Sequence, residues 1–213
     1  MKKLDVTVVS DVICPWCFIG SRRLGRVLSG LKDVEASVEY RPFLLDPTIP
    51  EEGADLRERL KRKYGAQAEG MFDRVEAAAR EENIPLDFSK VRRTPSTVNA
   101  HTLIRHAKEK GTQVALAEAL YEAYFLKGLD IGKTSELDKI ALKHGFKPEE
   151  TARLLSDKAE RERTLRDAQG AAESGVEGVP FFVFNDKFAF SGAQPEEVFH
   201  DAIRQALAAK ATR

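Results

Sequence analysis

Cys14 and Cys17 are the chain's two cysteines, three positions apart with Pro15 and Trp16 between them. A thiolate with a second thiol three residues away can attack a disulfide, form a mixed disulfide and be displaced by its neighbour. Two buried structural cysteines, or half of a zinc site, are the competing explanations of such a pair. Zinc needs four ligands, and the chain offers no second CxxC and no closely spaced histidine pair. His101 and His106 are five apart and do not share a helix face. No metal site is expected, and no cofactor beyond the redox-active pair itself, with glutathione as a possible thiol partner.

Val179-Pro180 is the second feature. A proline at the start of a buried strand is accommodated by a cis bond or by an edge left open, and the sequence alone permits either. The Val179 backbone could then pair with an extended substrate segment, as in strand addition. Candidate substrate-contacting residues are Pro15, Trp16, Val179 and Pro180. Trp16, in a two-residue loop between cysteines, should be partly exposed.

These residues need elements to hold them. Val6-Thr7-Val8-Val9 is short and β-branched, a strand that ends at Ser10-Asp11. Cys14 therefore lies at the carboxyl end of a strand, where sites of α/β sheets gather. Pro15 suits the first helical position, which makes Cys14 the cap of the following helix, its sulfur facing unpaired N–H groups that favour thiolate over thiol. Cys17 falls one turn on and should be more buried. The helix runs to about Leu31, and 34–43 is a second strand parallel to the first.

After a proline-containing linker at 44–53 the pattern turns helical, with segments near 55–64, 67–82, 96–110, 112–127, 135–144, 148–155 and 159–174 and no strand candidate among them. The strand pattern returns at Phe181-Phe182-Val183-Phe184, expected to be core throughout, then a tight turn at Asn185-Asp186, a strand at 187–190 and a final helix opened by Pro195 and ending near Lys210. The expected architecture is α/β, βαβ … ββα, with residues 1–50 and 175–213 forming one unit and 51–174 a helical insertion.

Composition bounds the partners. Hydrophobic residues are 42% and charged residues 32%, as in a globular protein. Lys+Arg and Asp+Glu both number 34, so no basic field exists to attract nucleic acid. No stretch is apolar enough to cross a membrane. The two lysines before the first apolar run do not make a secretory leader, because Asp5 interrupts it and no small-residue cleavage site follows. A cytoplasmic location is the expectation, as monomer or homodimer.

The stretch Ser10-Asp11-Val12-Ile13-Cys14-Pro15-Trp16-Cys17-Phe18-Ile19-Gly20 resembles the opening motif of the DsbA-like thioredoxin superfamily, in particular its FrnE-type cytoplasmic branch. Further stretches that resemble the same family lie at 95–101, 125–132, 175–184 and 190–195, so the resemblance spans nearly the whole chain. It implies a thioredoxin-like fold interrupted by a helical domain, a nucleophilic Cys14, a resolving Cys17 and a cis bond at Val179-Pro180. It also implies exchange with protein or small-molecule thiols and disulfides. Many thioredoxin-fold enzymes place an inner acid on the first strand; Val8 stands at that depth here. Kappa-class glutathione transferases and 2-hydroxychromene-2-carboxylate isomerases share the superfamily but carry serine at the nucleophile's position. A glutathione-dependent isomerase or transferase is therefore the alternative, and a non-catalytic peptide-binding chaperone the second. Asn99 and His101 could face the site from the helical part, but such residues are more often satisfied locally on their helix, so they stay off the catalytic list.

Overall fold

Leu4, Val6 and Val8 are buried, while between them Asp5 is exposed and Thr7 half-buried, so one face of the first strand packs into the core. In the computed structural model, which describes residues 1–209, this segment is β1 (Lys2–Ser10), followed by α1 (Pro15–Ser29) and β2 (Val34–Pro42). The two strands are parallel, from Lys2 opposite Val34 to Ser10 opposite Pro42.

The inserted segment comprises β3 (Ala54–Asp55), α2 (Leu56–Tyr64), α3 (Gln67–Glu81), β4 (Arg93–Thr94), α4 (Val98–Ala107), α5 (Gln113–Tyr121), α6 (Thr134–Leu142), α7 (Pro148–Ser156) and α8 (Lys158–Glu173). The chain then forms β5 (Phe181–Phe184), β6 (Phe188–Ser191) and α9 (Glu196–Ala208). The expected end of the last helix at Lys210 lies outside the described residues. The main sheet has the order β2-β1-β5-β6, with β5 antiparallel to β1 and β6 antiparallel to β5. Among the described residues no helix is long and apolar enough to cross a membrane.

Four expectations are corrected. The insertion is not free of strands: β3 and β4 pair antiparallel, Ala54 opposite Thr94 and Asp55 opposite Arg93. Two-residue strands are too short for alternation to register in sequence. The helix expected at 112–127 breaks into α5 and a π-helical turn, Glu122–Leu126. The wider turn lets Tyr121, Tyr124 and Phe125 all point inward, each at most 2% exposed. The helix expected to reach Lys110 stops at Ala107, and Gly111 turns the chain at φ +68°. Finally, β5 is not core throughout. Phe182 and Phe184 are fully buried, but Phe181 and Val183 on the other face are half-buried.

Two aromatic clusters fix the faces of the site. Phe182, Phe190 and Phe199 pack with ring centroids 4.9–5.3 Å apart, joining β5 and β6 to α9. On the opposite flank of α1, Phe18 stacks on Tyr121 at 5.4 Å and on Phe125 at 6.0 Å, which binds α1 to the insertion. The turn at Asn185 and Asp186 has φ of +50° and +52°, the left-handed pair that suits a two-residue hairpin.

Candidate functional site

Pro15 opens α1 and Cys14 occupies its N-cap position, so the strand-to-helix turn places the first sulfur as the spacing predicts. The capping contact differs from expectation. The Cys14 side chain caps no helical N–H; its thiol donates instead to the Val179 carbonyl at 3.6 Å. The first-turn N–H groups are taken by the Cys14 backbone carbonyl, which accepts from Cys17 at 3.1 Å and Phe18 at 3.3 Å.

Both cysteines are free thiols. Cys17 is fully buried, and Cys14 is nearly so at 3% exposure, whereas Trp16 between them is 38% exposed. Burial pushes the Cys17 thiol well above its ordinary value; its hydrogen bond to Cys14 and the charges of Cys14 and Asp11 add to this, while the Asp11 backbone N–H works the other way. Cys17 therefore rests as a thiol.

The Val179-Pro180 peptide bond is cis. Pro180 is buried, and its carbonyl accepts from Gly192 N–H at 2.8 Å, which anchors the loop to the end of β6. Gly20 on α1 allows close approach here: a Cβ at that position would lie 3.0 Å from the Phe182 ring and 3.2 Å from Pro180. Arg23, one turn further, donates to the carbonyls of Ala193 at 2.6 Å and Gln194 at 3.1 Å and pairs with Glu82 at 2.6 Å. α1, the proline loop and the insertion are thus joined at one corner.

Two residues not counted as site residues in the sequence lie in this corner. Asp11, in the turn between β1 and Cys14, is 1% exposed. One carboxylate oxygen lies 3.2 Å from His101 Nε2, the other accepts from Leu45 N–H at 2.8 Å, and the Asp11 carbonyl accepts from Cys14 N–H at 3.0 Å. His101 is not satisfied on its own helix; its partner is 90 positions away. Ser10-Asp11 was visible as the end of an apolar run, but nothing local marks Asp11 as buried. Asn99 is half-buried and enters no contact with the two sulfurs.

Among the described residues no three His, Cys, Asp or Glu side chains come together as a metal site. A cleft of about 800 Å³ lies on the other face of the sheet, lined by Thr7, Glu39, Arg41, Lys108 and Arg163 among others, and includes neither cysteine.

Comparison with known proteins agrees with this geometry. The chain is 28% identical over 206 residues to an uncharacterized protein YwbO of Bacillus subtilis (strain 168), covering 94% of this chain and 96% of that one. The crystal structure of a probable DsbA oxidoreductase from Streptomyces coelicolor is 32% identical, with a TM-score of 0.87 over 99% of this chain and 92% of that chain. A 2-hydroxychromene-2-carboxylate isomerase shares the fold at 16% identity, with a TM-score of 0.74 over 94% of this chain and 95% of that one. The profile of the DSBA-like thioredoxin domain family matches residues 5–204, and the chain belongs to that family, with an α/β thioredoxin-like fold that carries a helical insertion, α2–α8, between its strands.

Proposed function

We propose that the protein is a dithiol–disulfide oxidoreductase of the FrnE-type branch, acting on protein or small-molecule thiols and disulfides through Cys14 and Cys17. The observation that carries this is the pair of buried free thiols at the start of α1, the outer one donating to the Val179 carbonyl beside a cis proline. An isomerase has no use for a resolving thiol, and a structural pair has no need of a strand-to-helix turn.

In the forward direction the Cys14 thiolate attacks one sulfur of a substrate disulfide. A Cys14–substrate S–S bond forms, the substrate S–S bond breaks, and the leaving thiolate takes a proton from water. Cys17 then loses its proton and attacks the Cys14 sulfur. The Cys14–Cys17 disulfide forms and the second substrate thiolate departs. Two electrons pass from the enzyme dithiol to the substrate, and the reverse sequence oxidises a dithiol. Trp16 and Leu45, 38% and 40% exposed, offer apolar surface beside the turn, and Val179 and Pro180 offer backbone to an extended segment.

The test is turnover of insulin disulfides by the purified protein with dithiothreitol as reductant. Cys14→Ser should lower the rate by roughly a hundredfold or more, since no other thiolate is placed to attack. Full activity of that variant contradicts the proposal. Saturable glutathione dependence of a Cys17→Ser variant that keeps all its turnover would move the protein to the isomerase or transferase class.

A further inference from the structure

Phe181-Phe182-Val183-Phe184 is apolar at all four positions, yet only Phe182 and Phe184 are fully buried. Phe181 and Val183, on the other face, line the cleft of about 800 Å³ that is walled by α4 and α8. A strand apolar on both faces reads as one that is covered on both. Here the second face opens on a cleft of a size that holds a small molecule.

Strand register fixes what the floor of the cleft offers. Arg41, Val9 and Phe181 stand in one row across β2, β1 and β5, and Glu39, Thr7 and Val183 form the next. Adjacent strands are about 4.8 Å apart, so the Arg41 and Phe181 backbones lie roughly 10 Å from each other with Val9 between them. The first row is therefore a cation beside apolar surface. Phe181 directly follows the cis Pro180, so this row also borders the proline loop.

Charge decides which ligand suits the cleft. Glu39, in the second row, is held by Lys108 at 2.8 Å, and Asp167 on α8 is held by Arg105 at 3.1 Å. Arg41 lies 3.8 Å from Glu39, beyond hydrogen-bond distance. Arg163 reaches the cleft from α8 and enters no ion pair or hydrogen bond among the described residues. Arg166 lies 3.8 Å from Glu162 on its own helix. The other acids of the cleft are Glu109, past the end of α4, and Asp186, in the β5–β6 turn at the opposite end of β5 from Phe181.

We propose that this cleft binds a small amphiphilic monoanion, a carboxylate with an aromatic or medium-chain aliphatic body. The carboxylate accepts from Arg41 and Arg163, and the body lies over Val9, Phe181 and Val183. Guanidinium–carboxylate hydrogen bonds are charge-assisted and fix the head. Each CH₂ buried on the floor strengthens binding by about threefold. The site is separate from the thiol pair, and the proposal stands whether or not Cys14 and Cys17 exchange disulfides.

The experiment is isothermal titration calorimetry of the reduced full chain with sodium decanoate and with decyltrimethylammonium, which has the same tail and the opposite head charge. One decanoate should bind per chain, with the cation at least about tenfold weaker. Hexanoate should bind at least about tenfold more weakly than decanoate, and acetate should give no binding heat. Arg41→Glu and Arg163→Glu, both at exposed positions, should each weaken decanoate about fivefold or more and narrow the gap to the cation. Trp16→Ala, at the exposed apolar surface beside the thiols, should leave decanoate affinity unchanged.

Equal affinity for the two heads marks indiscriminate apolar adsorption and overturns the proposal even if a variant fails to fold. Absence of decanoate binding overturns it as well. So does binding that neither arginine reversal weakens, or binding lost in Trp16→Ala, which places the ligand at the thiols. Sedimentation velocity tests a different occupant. A wild-type dimer that Val183→Glu dissociates gives this face to a second copy of the chain and overturns the proposal too.

Discussion

At the scale of single residues, the site divides into what neighbouring letters spell and what only folding brings together. Cys14, Pro15, Trp16 and Cys17 are contiguous, and so are Val179 and Pro180, so their chemistry can be inferred from sequence. Asp11 and His101 cannot, because a buried pair is a property of two distant segments at once. Gly20 lies between these cases. It stands in the recognisable motif, but its role depends on Phe182 and Pro180 across the interface. Gly20→Ala must push Pro180 or the Phe182 ring aside by a few tenths of an ångström. Overpacking of this kind costs about 1–3 kcal/mol. Urea unfolding should show a lower midpoint with an unchanged slope, and disulfide turnover should fall as α1 shifts from the proline loop. An unaltered midpoint and rate would mean that the contact is soft.

At the scale of elements, periodicity predicted most helices within a few residues, and it failed where the repeat itself changes. The π-helical turn after α5 is one such place, and β3 and β4, held to two residues each, are another. The α1–α5 contact carries a pH-sensitive feature of its own. Burial lifts Glu118 from an ordinary value of 4.5 to about 7; Arg22, in ion-pair contact, opposes this and Glu122 adds to it. A carboxyl with a raised folded-state pKa binds its proton more tightly folded than unfolded. Its stabilising contribution is therefore complete below about 4.5 and is lost as pH rises through about 7. The side chain is 27% exposed, which tempers the effect to about 1–3 kcal/mol. Denaturant unfolding at pH 5 and pH 8 should show the wild type losing that much more stability than Glu118→Gln. Parallel losses in the two proteins would contradict the assignment.

At the scale of the whole molecule, the helical insertion is docked on the sheet as well as joined to it. β2 is an edge strand, and the Gln113 side chain pairs with that edge as a short piece of strand would. Its amide oxygen accepts from Tyr40 N–H at 2.9 Å, and its nitrogen donates to the carbonyls of Tyr40 and Ile104, each at 3.1 Å. No pattern in the sequence distinguishes this glutamine from a solvated one, because the strand it completes lies 73 positions away. Gln113→Leu keeps the volume but leaves buried backbone groups of Tyr40 and Ile104 without these partners, at a cost of about 2–4 kcal/mol. The melting temperature should fall by roughly 5–15 °C, with near-normal chemistry below the transition. A shift under about 2 °C would mean that water replaces the amide. Phe18 on Tyr121 and Phe125, Arg23 on Glu82 and Asp11 on His101 tie the same two parts together, so the insertion supports the site it surrounds.

The central claim is that Cys14 attacks a disulfide and Cys17 releases it. With two cysteines in the chain, a Cys17→Ser protein retains one thiol, so any adduct has a single address. The direct measurement is mass spectrometry of that variant after incubation with a disulfide-containing peptide. The account predicts a stable one-to-one mixed disulfide on Cys14, reversed by dithiothreitol, while the wild type under the same conditions gains no mass and ends with Cys14 and Cys17 oxidised. An unmodified Cys17→Ser protein, or a wild type that accumulates the same adduct, would contradict it.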